Sequence, residues 1–395
     1  PLPPSITYHV EGYAELGAFD HNSTLTVFPL DKSLAHIEEQ AYGGKVETDY
    51  GLFSASGNMK FQESLYFEVQ VSGNFFNGTK GRRSEHKTTL RAINHVINHD
   101  DEERSINRYI KLPATNVNIF TQLTAARICT LLKKAAGYNE MSHTITDIYR
   151  NASEQALKEV LTAFSISDIY VSMLSIDPTR ASFSQYNAPA SMMAAVSNIL
   201  LTSVDEELLD TFFTEWDKDF APDGRIDNED IKESIRDGQQ SLKYTNVYKQ
   251  LDSFYKAYDF KSDFPEFWKF VDRNGDGILD KQDKPDDFEI TEEELTPSKQ
   301  QCIQLLEQVN KYLRDFLQTE CVWEANFCGA IGPIPDYPTT LVPTDSEVYE
   351  IWTAAYATIR QCNSMIHILT SKTHDYDVKP YVGTAYTIQS LIYQS

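Results

Sequence analysis

The residues with the clearest chemical pattern in this chain lie in the twelve-residue segment from Asp272 to Asp283. Oxygen-bearing side chains fall at loop positions 1, 3, 5, 9 and 12, which is the spacing of an EF-hand calcium loop. Gly277 at position 6 suits the left-handed backbone of the sharp turn there. Because calcium takes about six to eight oxygen ligands, the sequence predicts one Ca²⁺ site. The predicted ligands are the side chains of Asp272, Asn274, Asp276, Asp280 and Asp283 and the backbone carbonyl of Ile278.

Position 12 of this loop departs from the usual pattern. It carries Asp283 where an EF-hand usually has a bidentate Glu, as in dockerin-type loops. The shorter side chain predicts reduced affinity and reduced selectivity against magnesium. The alternative interpretation is an Asp- and Gly-rich turn that holds no metal.

A second acidic segment, residues 217–230, has only the later half of the same pattern. Its first half carries two extra residues, and strict register puts Ala221, which offers no ligand, at position 3. The segment therefore has two interpretations: a second, weaker metal site, or a capped Asx turn before a helix at Ile231. The ligands of such a site would be Asp217, Asp219, Asp223, Asp227 and Asp230.

Patterns typical of catalysis are missing from the sequence. His95 and His99 are four residues apart, but no Glu follows them in the zincin pattern. The chain also lacks a nucleophile elbow, a phosphate-binding loop and a dinucleotide fingerprint. We therefore expect a protein that is not an enzyme.

The charge of the chain argues against one class of partner, nucleic acids. The 395 residues carry a formal net charge of −23, which would repel a nucleic-acid backbone.

No apolar run reaches the length of about 18 residues that predicts a membrane-spanning helix. The start Pro1-Leu2-Pro3-Pro4 is typical of a processed chain and suits a tether to an anchor. The 5 widely spaced cysteines argue against a disulfide framework, although Cys321 and Cys328 could pair in an oxidising compartment.

Hydrophobic periodicity predicts a multidomain α+β protein. Short alternating runs separated by turn residues predict a β-sandwich domain over residues 1–87. From Thr88 onwards Leu90, Ile93 and Val96 fit a helical face, which predicts a mainly α-helical domain over 88–260. Residues 261–295 form the EF-hand-like calcium-binding segment. Residues 296–395 are predicted to be helical and apparently incomplete, because the last helical pattern stops at Ser395 without a cap.

The C-terminal region resembles the SusD-like lipoproteins of gut Bacteroidetes. The resemblance rests on residues 348–363, in which Trp352, Tyr356, Ile359 and Asn363 follow the spacing of an early helix in that family. The following helix lacks the usual Arg-Ala pair. Trp352, Tyr356, Ile359 and Ile366 also predict a helical face that the chain itself does little to cover.

The N-terminal region resembles a lipoprotein family of the same bacteria. The resemblance rests on Gly17-Ala18-Phe19, residues 23–30, residues 73–77 and residues 118–123. It implies an extracytoplasmic, lipid-anchored protein on the outer-membrane cell surface that touches the membrane only through an N-terminal lipid anchor. The implied partners are a SusC-like TonB-dependent barrel, a SusD-like lipoprotein and an oligosaccharide or peptide ligand.

The sequence as a whole thus favours a non-catalytic, calcium-binding surface lipoprotein. It would be an accessory component of a SusCD-like uptake complex for glycans or peptides. Two alternatives stay open: a calcium-stiffened scaffold without its own ligand, and a surface hydrolase whose site the sequence does not reveal.

Overall fold

A computed structural model describes residues 7–58, 65–96, 109–140, 145–184, 187–258 and 267–289, parts of 303–370, and 377–394. The chain forms two compact units, Pro1–Glu289 and Ile290–Ser395. Together they make a multidomain α+β structure. Among the helices of the described ranges, none has the length and apolar character needed to cross a membrane.

The described residues of the first unit include ten strands. The runs predicted to be strands at 6–10, 24–28 and 65–71 all lie within strands or overlap them, so these predictions are confirmed. The strands are β1 Thr7–Glu15, β2 Thr24–Leu30, β3 Tyr42–Val46, β4 Leu52–Asn58, β5 Tyr66–Gly73, β6 Phe76–Asn77, β7 Arg82–Arg83, β8 Thr88–His95, β9 Tyr109–Lys111 and β10 Val117–Asn118.

Eight of these strands form one mixed sheet in the order β10-β1-β4-β3-β2-β5-β8, with β9 also paired to β1. β9 and β10 run parallel to β1, and the other pairs are antiparallel. β10 also lies beside β5 and β8, so the sheet curls into a half-barrel. β6 and β7 make a separate two-stranded ribbon. Because β8, β9 and β10 belong to the sheet, it continues beyond residue 87, while the predicted domain boundaries stay predictions.

The helical face predicted at Leu90, Ile93 and Val96 is wrong, because residues 88–95 form strand β8. Leu90 pairs with Val71, whereas Ile93 pairs with Glu68, so the two apolar residues lie on opposite faces of the sheet. Both are buried. A strand buried on both faces has apolar residues three apart, and this spacing imitates a helical pattern.

The helices follow the sheet in the chain. Predicted helical patterns around 123–132, 156–164, 192–201 and 208–213 all coincide with helices. The helices are α1 Ile119–Lys134, α2 Ile145–Ala163, α3 Ile169–Leu174, α4 Ala188–Ser203, α5 Leu209–Phe220, α6 Glu229–Ser241, α7 Tyr244–Lys256 and, in the second unit, α8 Lys379–Gln394. Short 3₁₀ helices occur at Glu38–Gln40, Glu206–Leu208, Phe267–Phe270 and Lys281–Asp283.

Helices α1 and α2 cover one face of the sheet. Leu30, Tyr66 and Ile93 from three strands share a buried apolar cluster with Ile128 of α1 and Ala152 of α2. Helices therefore form the second layer over these strands. The β-sandwich predicted for residues 1–87 is not confirmed by this arrangement.

Backbone N–H groups along the outer edge of β8 are hydrogen-bonded to side chains from helices. The backbone N–H of Arg91 donates to Oε1 of Gln122 on α1 at 2.9 Å. The N–H of Thr89 donates to Oδ1 of Asp210 on α5 at 3.0 Å. These bonds satisfy amides that an edge strand otherwise presents to other chains.

In the second unit, all the described residues between 303 and 317 and between 354 and 370 are helical. Ile359 and Ile366 are buried, and Nε2 of Gln389 on α8 donates to Oδ1 of Asn363 at 2.7 Å. The prediction that these two isoleucines lack cover is therefore wrong, since the unit buries them itself. Tyr356 is exposed, as predicted. Trp352 lies outside the described residues.

Candidate metal centre

The segment that enters the predicted calcium loop is anchored by aromatic packing. Phe267 and Trp268, in the 3₁₀ helix before the loop, are buried, and so is Val271. The ring of Phe267 lies 4.5 Å from that of Tyr244, at the start of α7. Phe270 makes an edge contact with Tyr170 of α3 at 5.8 Å. The residue before the first predicted ligand is thus fixed to the helical layer.

The segment that leaves the loop returns to the same helix. The ring of Phe288 stacks on Tyr244 at 5.7 Å and makes an edge contact with Trp268 at 6.2 Å. The N–H of Thr245 donates to Oδ2 of Asp287 at 3.2 Å, and the Thr245 hydroxyl donates to the Asp287 carbonyl. Both ends of the loop therefore dock at the N-terminus of α7, and the loop between them projects from this base.

Two glycines give the loop its turn. Gly275 and Gly277 have φ values of 75° and 78°, in the left-handed region. A Cβ atom at Gly277 would meet no atom within 4 Å, so backbone conformation rather than space requires glycine there. This is the conformation that position 6 of a calcium loop adopts.

The carboxylates at the two ends of the loop, Asp272 and Asp283, are buried, with exposed fractions of 3% and 1%. Asp272 accepts N–H bonds from Gly275 and Gly277, both at 2.9 Å. Asp283 accepts from the N–H of Arg273 at 2.9 Å and, through its other oxygen, from the N–H of Asp280 at 2.9 Å. The two carboxylates thus hold the loop closed through backbone amides.

The remaining predicted ligands face solvent. Oδ1 of Asn274 accepts from the N–H of Asp276 at 2.9 Å, and Oδ1 of Asp276 accepts from the N–H of Ile278 at 2.8 Å. Oδ1 of Asp280 accepts from the N–H of Gln282 at 2.6 Å and caps the short 3₁₀ helix. Each side chain is therefore oriented by a local bond.

Within the described ranges, no group of three or more His, Cys, Asp or Glu side chains is gathered as around a metal ion. The predicted ligand set also includes an amide oxygen and a backbone carbonyl. A carboxylate oxygen that accepts one N–H bond still has a lone pair. The donor set consists of hard oxygens, which suits calcium chemically.

Two of the positive charges near the loop are engaged elsewhere. Nη2 of Arg273 lies 3.3 Å from Oδ2 of Asp286, and Nζ of Lys284 lies 4.3 Å from the centre of the Phe288 ring. Among the described residues, no Lys, Arg or His forms an ion pair with Asp272 or Asp283. Two buried carboxylates without a cationic partner are costly unless a cation or strong hydrogen bonds compensate them.

The second acidic segment has a different arrangement. Nη2 of Arg91 on β8 lies 2.5 Å from Oδ2 of Asp217, and burial raises the pKa of Asp217 to about 6 although this guanidinium lowers it. Oδ2 of Asp219 accepts from the N–H groups of Asp227 and Asn228. Asn228 caps α6 through the N–H of Asp230 at 2.9 Å. These bonds fit the capped-turn interpretation, and a weak metal site here stays a prediction.

His95 lies on β8 rather than on a helix. Its ring nitrogens lie 3.1 Å from Oδ1 of Asn94 and 3.1 Å from Oγ1 of Thr146, and the ring stacks on Tyr149. Burial lowers the pKa of His95 to about 4. It is a neutral core histidine. His99, Cys321 and Cys328 lie outside the described residues, whereas Cys129 and Cys362 are free thiols.

The sequence pattern of the loop did not reveal the residues that hold it. Tyr244, Thr245, Asp287 and Phe288 fix the base of the loop, but they lie outside the twelve-residue pattern. Their only signal in the sequence is an aromatic residue on each side of the loop. This signal does not say which helix they contact.

No protein-family model, no curated protein and no solved structure matches this chain.

Proposed function

We propose that residues 272–283 bind one Ca²⁺ ion in an EF-hand-like loop and that the ion stabilises the segment that closes the first unit. The observation that carries this proposal is the pair of buried carboxylates at the two ends of the loop, Asp272 and Asp283, whose hydrogen-bond partners are backbone amides. A divalent cation would compensate their charge. The ligands would be Asp272, Asn274, Asp276, Asp280, Asp283 and the Ile278 carbonyl.

Aromatic residues on both sides of the loop pack on α7, so metal binding in the loop would also affect the contact between this segment and α7. Phe267 and Phe288 pack on Tyr244, so fixing the loop would also fix the contact between this segment and α7. An ion that binds only the folded state adds RT ln(1 + [L]/Kd) to stability. The proposed role of calcium is therefore structural.

Calcium should raise the stability of the first unit by about 2.7 kcal/mol at a hundredfold excess over Kd. Asp276→Ala should abolish this gain, because it removes a solvent-facing ligand without touching the buried base. Urea unfolding with calcium and with chelator measures the gain. Asp286→Ala is a matched control, since Asp286 is an exposed carboxylate just outside the loop. Trp268 provides a local fluorescence signal for titration.

Two results would contradict the calcium proposal. One is an unfolding midpoint that chelation leaves unchanged. The other is an equal calcium gain in Asp276→Ala and in the wild type. A gain lost in both variants would indicate a general effect of acidic charge rather than this loop.

We further propose that the protein works as a non-catalytic accessory lipoprotein of a SusCD-like uptake complex at the outer-membrane surface. Support comes from the resemblance of residues 348–363 to SusD-like proteins and from the net charge of −23, which disfavours nucleic acid. The ligand would be an oligosaccharide or a peptide. A calcium-stiffened scaffold without its own ligand and a surface hydrolase are the alternatives.

Mild-detergent purification of the native protein from membranes should recover a SusC-like TonB-dependent barrel with it. Recovery as a free monomer that hydrolyses a peptide or a glycan would contradict the accessory role and favour the hydrolase. Recovery with the barrel but without binding to any oligosaccharide or peptide tested would favour the scaffold.

A further inference from the structure

A carboxyl group is buried at the end of strand β1, far along the chain from the predicted calcium loop. Glu15 has an exposed fraction of 0%. One carboxyl oxygen lies 3.1 Å from the Ser182 hydroxyl, and the other accepts from the N–H of Phe183 at 3.1 Å. These two neutral donors are its recorded hydrogen-bond partners.

The loop that carries Ser182 and Phe183, residues 176–184, is fastened by two further buried side chains. Nδ2 of Asn118 donates to the carbonyls of Pro178 and Ala181, both at 2.9 Å. Nδ2 of Asn116 donates to the Ala181 carbonyl at 3.1 Å. Asn118 also begins α1 as its N-cap. The loop thus connects the end of β1 with the start of the helical layer. Glu15 is an acidic side chain that binds this loop.

Among the described residues, no Lys, Arg or His acts electrostatically on Glu15. The titratable groups on which Glu15 acts are the hydroxyls of Tyr13 on β1 and Tyr255 on α7. Arg83, a cation that acts on Tyr255, is paired with Asp20 at 2.6 Å. A buried carboxylate without a positive partner loses more solvation than two neutral hydrogen bonds return, so the group retains its proton.

We propose that Glu15 is a neutral carboxylic acid in the folded protein and that loss of its proton releases the 176–184 loop from the end of β1. The protonated group can donate to the Ser182 hydroxyl while its carbonyl oxygen accepts the Phe183 N–H. Ser182 in turn lies 2.8 Å from the hydroxyl of Ser184, which completes a neutral chain. The ionised group would need water, whereas Glu15 is fully buried.

The direction of the pH dependence follows from proton binding. Burial raises the pKa of Glu15 from 4.5 to about 8, against the smaller opposing effects of the Phe183 and Ser182 hydrogen bonds. Between these two pH values the unfolded chain is ionised at this position and the folded chain is not. The folded-to-unfolded ratio should therefore fall up to tenfold per pH unit as the pH rises through this range, with no further loss from this group above it.

Urea unfolding of wild type and Glu15→Gln at pH 5 and pH 7 tests the proposal. Glutamine keeps an acceptor for Phe183 and a donor for Ser182 but cannot ionise. The stability of Glu15→Gln relative to wild type should rise about 70-fold in equilibrium constant between these pH values. Glu206→Gln is the control, because Glu206 is also buried but lies 3.1 Å from Nζ of Lys80, and it should show no such rise. An unchanged ratio for Glu15→Gln would overturn the proposal.

Two further measurements keep the test decisive if Glu15→Gln does not fold. In wild type with ¹³C-labelled glutamate, one carboxyl carbon should titrate near pH 8, and titration of every glutamate below about pH 6 would refute the neutral acid. Amide hydrogen exchange of Phe183, referred to Val69 in the sheet, should accelerate above that pH. A constant ratio of the two exchange rates would refute release of the loop.

Discussion

Replacing Arg127 with leucine should lower the free energy of unfolding by about 3–5 kcal/mol, because it removes a buried guanidinium that binds a partly buried carboxylate and three carbonyl groups. The Arg127 side chain is 5% exposed. Its guanidinium binds both carboxyl oxygens of Glu159, at 2.7 and 2.9 Å. Its remaining N–H groups donate to the carbonyls of Ala221, Pro222 and Asp223.

All five guanidinium N–H groups are therefore used, and they join α1, α2 and the loop after α5. Lysine cannot reproduce this planar set of donors, so Arg127→Lys should also lose most of the stabilisation. Unfolding in urea measures the loss. Adding Glu159→Leu to Arg127→Leu should recover part of it, since the unpaired charge is removed.

Arg150→Leu is the matched control for Arg127. Arg150 forms an exposed pair with Asp147 at 2.6 Å, and such pairs contribute at most about 1 kcal/mol. A loss below about 1 kcal/mol for Arg127→Leu would show that the buried network is not a main contributor to stability.

The second large effect is expected at Trp216, where alanine should cost about 3–5 kcal/mol. Trp216 on α5 is 1% exposed. Its ring lies 5.0 Å from Phe220 and 6.0 Å from Phe164, and Nε1 donates to the Leu123 carbonyl of α1 at 2.9 Å. The substitution would leave a cavity between α1 and α5 and remove this hydrogen bond.

Trp216→Phe should cost less than Trp216→Ala, because it keeps most of the ring volume and loses mainly the hydrogen bond. Leu208→Ala, at an exposed leucine just before α5, should change stability by less than about 0.5 kcal/mol. Far-UV circular dichroism during urea unfolding suits these variants, since Trp216 itself contributes to fluorescence. Equal losses for the alanine and phenylalanine variants would show that packing of the ring is not the cause.

Patterns within short stretches of the sequence predicted the candidate calcium loop and many of the strands and helices. The calcium loop was predicted because its proposed ligands lie within twelve consecutive residues, and its glycines adopt the backbone that the pattern requires. Strands β1 and β2 alternate because every second side chain is buried more deeply, and helix α2 shows the 3.6-residue period of a helix with one buried face. In each case the physical cause lies within one element.

Other features depend on contacts between residues that are far apart in the sequence, and only the tertiary structure shows these contacts. Strand β8 imitates a helix because apolar residues on its opposite faces are both covered by other elements. The spacing of Asp217 in the sequence made it a candidate metal ligand, and only the tertiary structure places Arg91, 126 residues away, beside it. Glu15 lies among residues that read as an ordinary strand, yet Ser182 and Phe183, 167 and 168 residues away, bury it. Burial and partner together set the charge of such a group, and neither can be read from its neighbours in the sequence.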